Sequence, residues 1–237
     1  MDILALNAEN LQIKTENKFI YDMLSFSVEK NTIYGIIAPT GSGKTQIIQT
    51  ILGIKKPLKG KIELLGEKIP DRKILRFIGY LPKQKVISSL LTVEENLYYF
   101  ARMYGLTYEQ IKWKATELLM IFGLKDKANI RVSSISFDDK VKVAFATCLI
   151  HCPMLLILDD PFGGMSVQLT QFLYEHIKYQ KEQGNTVIFT SQNVQDAMIC
   201  DKVLILHSGR LLIEAKPQDI IAMTKAKSIE EAVIRLF

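Results

Sequence analysis

The chain has 237 residues, 48% of them hydrophobic and 23% charged, with a net charge of +5. That profile excludes a disordered chain and is long enough to bury a sizeable core. The mild positive charge is compatible with a polyphosphate ligand or a membrane-associated partner and decides little alone.

Residues 3–37 alternate in strand fashion, cleanly at Leu24-Ser25-Phe26-Ser27-Val28, and Ile33 to Ala38 is an apolar run that ends at a glycine-rich segment. Lys44 to Leu52 reads as a helix, and Lys61 to Leu65 and Phe77 to Leu81 as strands. From Val93 to Phe122 the apolar residues recur at helical spacing, and Thr92 followed by Glu95 is a capping-box signature. Met154 to Leu158 is a five-residue apolar run that ends in two aspartates, as a buried parallel strand does. A helix at about 167–183, a strand at Thr186 to Thr190, a helix at 193–200 and a strand at Val203 to Leu206 complete the alternation. This order predicts an α/β fold with a mixed, mostly parallel sheet, an N-terminal antiparallel β subdomain and a helical insertion. The expected division is an α/β core of residues 1–85 and 152–237 with a helical subdomain at 86–151.

Cys148, Cys152 and Cys200 have no framework spacing, which predicts reduced thiols. Cys148, His151 and Cys152 lie close together, but no second ligand pair exists elsewhere, so an apolar helix leading into a strand is the expected reading. Met1-Asp2-Ile3-Leu4 lacks the basic and apolar regions of a secretory leader. The most apolar stretch, Val141 to Leu158, is broken by Lys142, His151 and Pro153 and falls short of the ~20 apolar residues that span a bilayer. Any membrane part must then come from another chain. No basic stripe with interleaved aromatics points to nucleic acid.

Ala38-Pro39-Thr40-Gly41-Ser42-Gly43-Lys44-Thr45 lies between a predicted strand and a predicted helix, and its end matches the P-loop pattern. Glycines let backbone N–H groups curl around phosphate oxygens, and the helix adds its positive end. Lys44 is expected to reach the outer phosphates of ATP, and the Thr45 hydroxyl to ligate Mg²⁺. Ala38 stands where the pattern has its first glycine, which costs little if its φ is negative. Asp159, at the tip of the strand Leu155 to Leu158, is expected to hold Mg²⁺ through water, with Asp160 next to it placed to polarise an attacking water.

With these motifs the chain resembles, over nearly its whole length, the nucleotide-binding subunit of an ABC transporter. Leu91-Thr92-Val93-Glu94-Glu95-Asn96-Leu97, Tyr104-Gly105-Leu106 and Phe122-Gly123-Leu124 resemble most closely the drug-export branch, whose membrane permease is a separate chain. The resemblance implies a peripheral position on the cytoplasmic face of the cell membrane, held by the permease. It also implies a head-to-tail dimer that sandwiches two ATP molecules, each between one chain's P-loop and the other's signature loop.

Several positions depart from that pattern. The family's leucine-serine-glycine-glycine-glutamine reads here Ile135-Ser136-Phe137-Asp138-Asp139, which keeps Ser136 toward the partner's ATP but replaces both glycines. A ring fills the space of the first, and a carboxylate repels phosphate at the second. Asp160 replaces a glutamate one methylene longer, and Gln192 stands at the switch histidine, able to hydrogen-bond the γ-phosphate but unable to carry charge. Ser166 replaces an aspartate after Pro161. An ungapped alignment puts Lys83 where a glutamine belongs, and Gln84 takes that place after a one-residue shift, with a role at the water or the metal. The adenine-stacking aromatic falls near Thr15, with Phe19 the nearest substitute. These departures predict Mg-ATP binding with slow or absent hydrolysis and a second ABC ATPase subunit as partner, a heterodimer rather than a homodimer. The alternatives are a regulatory module that binds ATP to hold a permease in one state, and a soluble ABC protein acting on ribosomes or DNA.

Overall fold

The computed structural model describes residues 4–14 and 19–236. In chain order come β1 (Leu4–Lys14), β2 (Phe19–Glu29), β3 (Ile33–Ile37), α1 (Lys44–Ile51), β4 (Lys59–Leu64), β5 (Glu67–Lys68) and β6 (Ile78–Leu81). Three helices follow, α2 (Val93–Met103), α3 (Tyr108–Ile121) and α4 (Phe137–Leu149). The chain then runs through β7 (Leu155–Asp159), α5 (Val167–Glu182), β8 (Thr186–Ser191), β9 (Lys202–His207), β10 (Arg210–Ala215), α6 (Pro217–Thr224) and α7 (Ile229–Arg235).

Two sheets result. β1, β2, β4 and β5 form an antiparallel sheet in the order β2-β1-β4-β5. β3, β6, β7, β8 and β9 are parallel in the order β9-β3-β8-β7-β6, and β10 pairs antiparallel with β9 at the edge. The mixed, mostly parallel sheet, the N-terminal antiparallel sheet and the helical stretch are thus all present. Strands β3, β7 and β8 are buried at every position, as expected for parallel strands covered on both faces.

One core packs the antiparallel sheet and α1 on one face of the parallel sheet, through Phe26, Tyr34, Ile47 and Ile157. The other packs α2 to α5 on the opposite face, through Leu97, Phe122, Phe145, Leu158, Leu173 and Phe189. The capping box at Thr92 is closed in both directions: Thr92 N–H donates to Glu95 Oε2 at 2.8 Å, and Glu95 N–H donates to Thr92 Oγ1 at 3.1 Å. A second box joins Thr107 and Gln110 at the start of α3.

The segment expected as a helix at 193–200 is a 3₁₀ turn, Val194–Ile199. Asn193 Oδ1 takes the Gln195 N–H, and the buried Asp196 carboxylate accepts from Tyr174, Ser191 and Asn193. These side-chain bonds compete with the α-helical ladder and hold the tighter turn. No helix among the described residues is long and apolar enough to cross a membrane.

Candidate functional site

Four parallel strands end at one edge of the sheet, in the order β3, β8, β7, β6. The residues just beyond them, Ala38 to Thr45, Gln192, Asp159-Asp160 and Lys83, therefore stand in a row at strand spacings of about 4.8 Å. Ligands of open α/β sheets sit at this edge.

The loop after β3 turns on two glycines in the left-handed region, Gly41 at φ +78° and Gly43 at φ +90°. A Cβ at Gly43 would stand 2.4 Å from Ile20 Cγ2, so strand β2 leaves room only for glycine. Gly43 caps α1 without a side-chain hydrogen bond, which leaves the first helical N–H groups free to face an anion. Ala38 is buried, is not among the left-handed residues and donates its N–H to the Ser191 carbonyl at 3.0 Å. Alanine is thus unstrained there.

Lys44 arches back over the loop, donating to the carbonyls of Ala38 at 2.6 Å and Pro39 at 2.9 Å. Burial lowers its pKa, and the nearby charge of Asp160 opposes that shift. Thr45 is half-buried one residue on. Thr40 Oγ1 bonds Gln192 Oε1, so the loop and the residue after β8 are in contact.

Asp159 is 1% exposed. Its Oδ1 accepts from Thr190 Oγ1 at 2.8 Å, whereas Oδ2 is buried with no hydrogen-bond partner among the described residues. Such an oxygen is costly to bury unless something positive meets it. A Mg²⁺ ion or its bound water, shared with Thr45, fits that requirement.

Asp160 is held differently. Its φ is +50°, its N–H donates to Thr190 Oγ1 at 3.0 Å, and it is 6% exposed. A non-glycine residue in the left-handed region next to a second buried carboxylate is the kind of strain found at functional sites. Its carboxylate forms an ion pair with Lys83, whose Nζ lies 3.0 Å from Oδ2. The hydrogen bond and the charge of Asp160 raise the Lys83 pKa. Lys83 lines a cleft of about 660 Å³ with Lys85, Phe137, Lys140, Asp160 and Gln192. Gln84 is exposed and is not among the residues lining that cleft.

The start of α4 is engaged within the chain. Ser136 Oγ accepts the Asp139 N–H at 3.1 Å and donates to Asp139 Oδ2 at 2.7 Å, and Lys127 Nζ meets the same oxygen at 2.5 Å. Asp138 Oδ2 accepts from Ser166 Oγ at 3.3 Å. Phe137 is 57% exposed. The helix N-terminus is thus already neutralised by carboxylates of its own first turn.

Of the adenine-stacking candidates, Thr15 lies outside the described residues. Phe19 pairs with Lys14 through the backbone of β2, and its side chain lies outside what is described. Sequence reasoning found Ser136, Asp160 and Lys83 singly but missed the two pairs, Lys83 with Asp160 and Lys127 with Asp139. The one available signal was a lysine at the glutamine position beside a shortened acid.

Cys148 Sγ donates to the carbonyls of Tyr80 and Ala144, and His151 Nε2 lies 3.1 Å from the Ile78 carbonyl. Both side chains fasten α4 and the turn after it to β6.

Residues 21–163 match the family model described as ABC transporter. The Nod factor export ATP-binding protein I of Rhizobium sp. (strain N33) is 31% identical over 224 residues, 93% of this chain and 74% of that protein. A solved structure described as the ATP binding subunit of an ABC transporter superposes with a TM-score of 0.87 at 26% identity, covering 98% of this chain and 99% of the other. An ATP-binding cassette solved as a dimer with ADP and Pi shares the fold, with a TM-score of 0.80 at 22% identity over 89% of this chain and 98% of the other. With the family model matched over more than half of its length, the chain belongs to the ABC transporter family as one of its ATP-binding subunits.

Proposed function

We propose that this chain binds Mg-ATP as one subunit of an exporter, turns it over slowly or not at all, and works with a separate membrane permease and a second, better-equipped ABC ATPase. One observation carries the reading: the Asp159 oxygen that would meet a metal has no partner among the described residues, whereas the carboxylate that would activate water is tied up by Lys83. Lys44, Thr45 and the unpartnered Asp159 oxygen offer a phosphate and metal site. Mg²⁺ bound there would neutralise and orient the phosphates.

Asp160 is shorter than glutamate, and its carboxylate is occupied by Lys83. A base misplaced by about an ångström costs on the order of 10²-fold in rate. Gln192 bonds Thr40 and brings no positive charge to the γ-phosphate.

The partner follows from the start of α4. Ser136 donates to Asp139, and Phe137 is exposed at the position that in the family's sandwich dimer approaches the partner's ATP. A homodimer would combine two such ends with two weak bases. In a heterodimer, the site on this P-loop holds ATP, and the partner's site turns over. Residues 86–151 act as the helical subdomain, and the surface from Lys83 to Leu91 meets the permease on the cytoplasmic side. In support, Val86 is exposed and lines a groove of about 330 Å³ with Pro82, Phe100, Tyr104 and Cys148, and Leu90 further along the connector is also exposed.

The test is calorimetric titration of the purified chain with Mg-ATP. Saturable binding is expected, with Lys44→Ala weakening it at least about tenfold through loss of a charged phosphate contact. No binding by the unaltered chain would refute the reading. The regulatory alternative gains support from the same Lys83–Asp160 pair and predicts no turnover even with all partners and no effect of Asp160→Ala.

A further inference from the structure

Three ammonium groups and two carboxylates crowd the edge where β3, β7 and β6 end. Lys83 Nζ lies 3.0 Å from Asp160 Oδ2. Lys44 is close enough to be influenced by Asp160, Lys83 and Asp159 together. Lys85 lines the same cleft as Lys83 and Asp160, and burial disfavours its charge. A site with one lysine and two carboxylates is net negative in its side chains, which favours a triphosphate that arrives with a divalent cation. Here Lys83 adds a second, exposed ammonium to Lys44 opposite the two carboxylates before any metal arrives, with the more buried Lys85 lining the same cleft.

We propose that Lys83 is a built-in counter-cation for the terminal phosphate of ATP, a specificity-determining residue that lets this chain hold ATP with weak dependence on a divalent metal. The inference rests on the reading of Ala38 to Thr45 as an ATP site. Without nucleotide, the ammonium rests on Asp160. Its side chain is 56% exposed, so the ammonium can swing, but Asp160 is only 6% exposed and must keep a donor. An ammonium on a flexible stem has three donors and can keep one on Asp160 while giving another to a phosphate oxygen. The phosphate carries more charge and more acceptors than the carboxylate, so it draws the group toward Lys44. ADP lacks the terminal phosphate and gains nothing from Lys83. The glutamine that an ungapped alignment expects at this position brings no charge.

The experiment is equilibrium binding of ATP and of ADP to the full chain, each with Mg²⁺ and with EDTA, for the unaltered protein, Lys83→Gln and Lys83→Arg. In the unaltered protein, EDTA should weaken ATP binding by less than about tenfold. In Lys83→Gln it should weaken it about tenfold more than that, the worth of one charge-assisted contact. Lys83→Arg should behave as the unaltered chain, and ADP affinity should not respond to either substitution. Equal metal dependence in Lys83→Gln and the unaltered chain would overturn the proposal, as would an equal change for ADP. If the unaltered chain binds neither nucleotide even with Mg²⁺, the ATP-site reading itself fails. If Lys83→Gln does not fold, Asp160→Asn gives the answer from the other side. By releasing Lys83 it should tighten metal-free ATP binding, and weakened binding would overturn the proposal.

Discussion

His151 illustrates how burial of a single residue becomes a pH dependence. Its ring stacks on Tyr104 with centroids 3.6 Å apart, and Nε2 donates to the Ile78 carbonyl at 3.1 Å. Burial pushes its pKa down to about 4. An unfolded histidine titrates near 6.5, so between about 6.5 and 4 the unfolded chain binds the extra proton. The stability due to this residue is complete above about pH 6.5 and is lost as the pH falls toward 4, on the order of 1–3 kcal/mol. Urea unfolding at pH 7.5 and pH 5 should therefore show a larger loss for the natural chain than for His151→Phe, and equal losses would contradict this assignment. Gly43 is a second residue-scale case. An alanine there meets Ile20 and must adopt φ +90°, so Gly43→Ala should weaken ATP binding at least about tenfold while the chain stays folded. Parallel calorimetric and circular-dichroism measurements check both halves.

At the scale of elements, the connector leading into α2 hangs on one buried side chain. Asn96 accepts from Ser88 N–H at 2.8 Å and donates to the carbonyls of Ser88 at 3.0 Å and Thr92 at 2.8 Å. Asn96→Ala leaves the Ser88 N–H and carbonyl without this partner, while the Thr92 carbonyl keeps the backbone N–H of residue 96, and it should cost about 1–3 kcal/mol in chemical unfolding. It should also loosen the segment proposed to face the permease, read as faster amide exchange around Ser88. Elements like α2 were legible in the sequence because capping box and helical period agree locally, and β7 because an apolar run ends in charge. The 3₁₀ turn Val194–Ile199 was not, since it depends on Tyr174, which reaches Asp196 from α5. Strand β10 was missed because it is a half-buried edge strand without clean alternation. The Lys83–Asp160 pair depends on β6 lying next to β7, a fact of topology that spacing along the chain does not carry.

Across the whole molecule, the two ends of the proposed sandwich are unequal. The P-loop side keeps Lys44 and an unpartnered Asp159 oxygen, whereas the α4 side has closed on itself through Ser136, Asp139 and Lys127. Replacing Phe137 and Asp138 by glycine should reopen that end and raise the turnover of the complex assembled with its partner ATPase. Unchanged turnover would count against the heterodimer. The central claim is that ATP is held here more than it is split. It is tested most directly by loading the purified chain with labelled Mg-ATP and following the bound nucleotide through a single turnover. The expected result is ATP recovered intact, or converted on the order of 10²-fold more slowly than by an ATPase with a well-placed base. Rapid conversion to ADP, at the rate of active ABC ATPases, would contradict it.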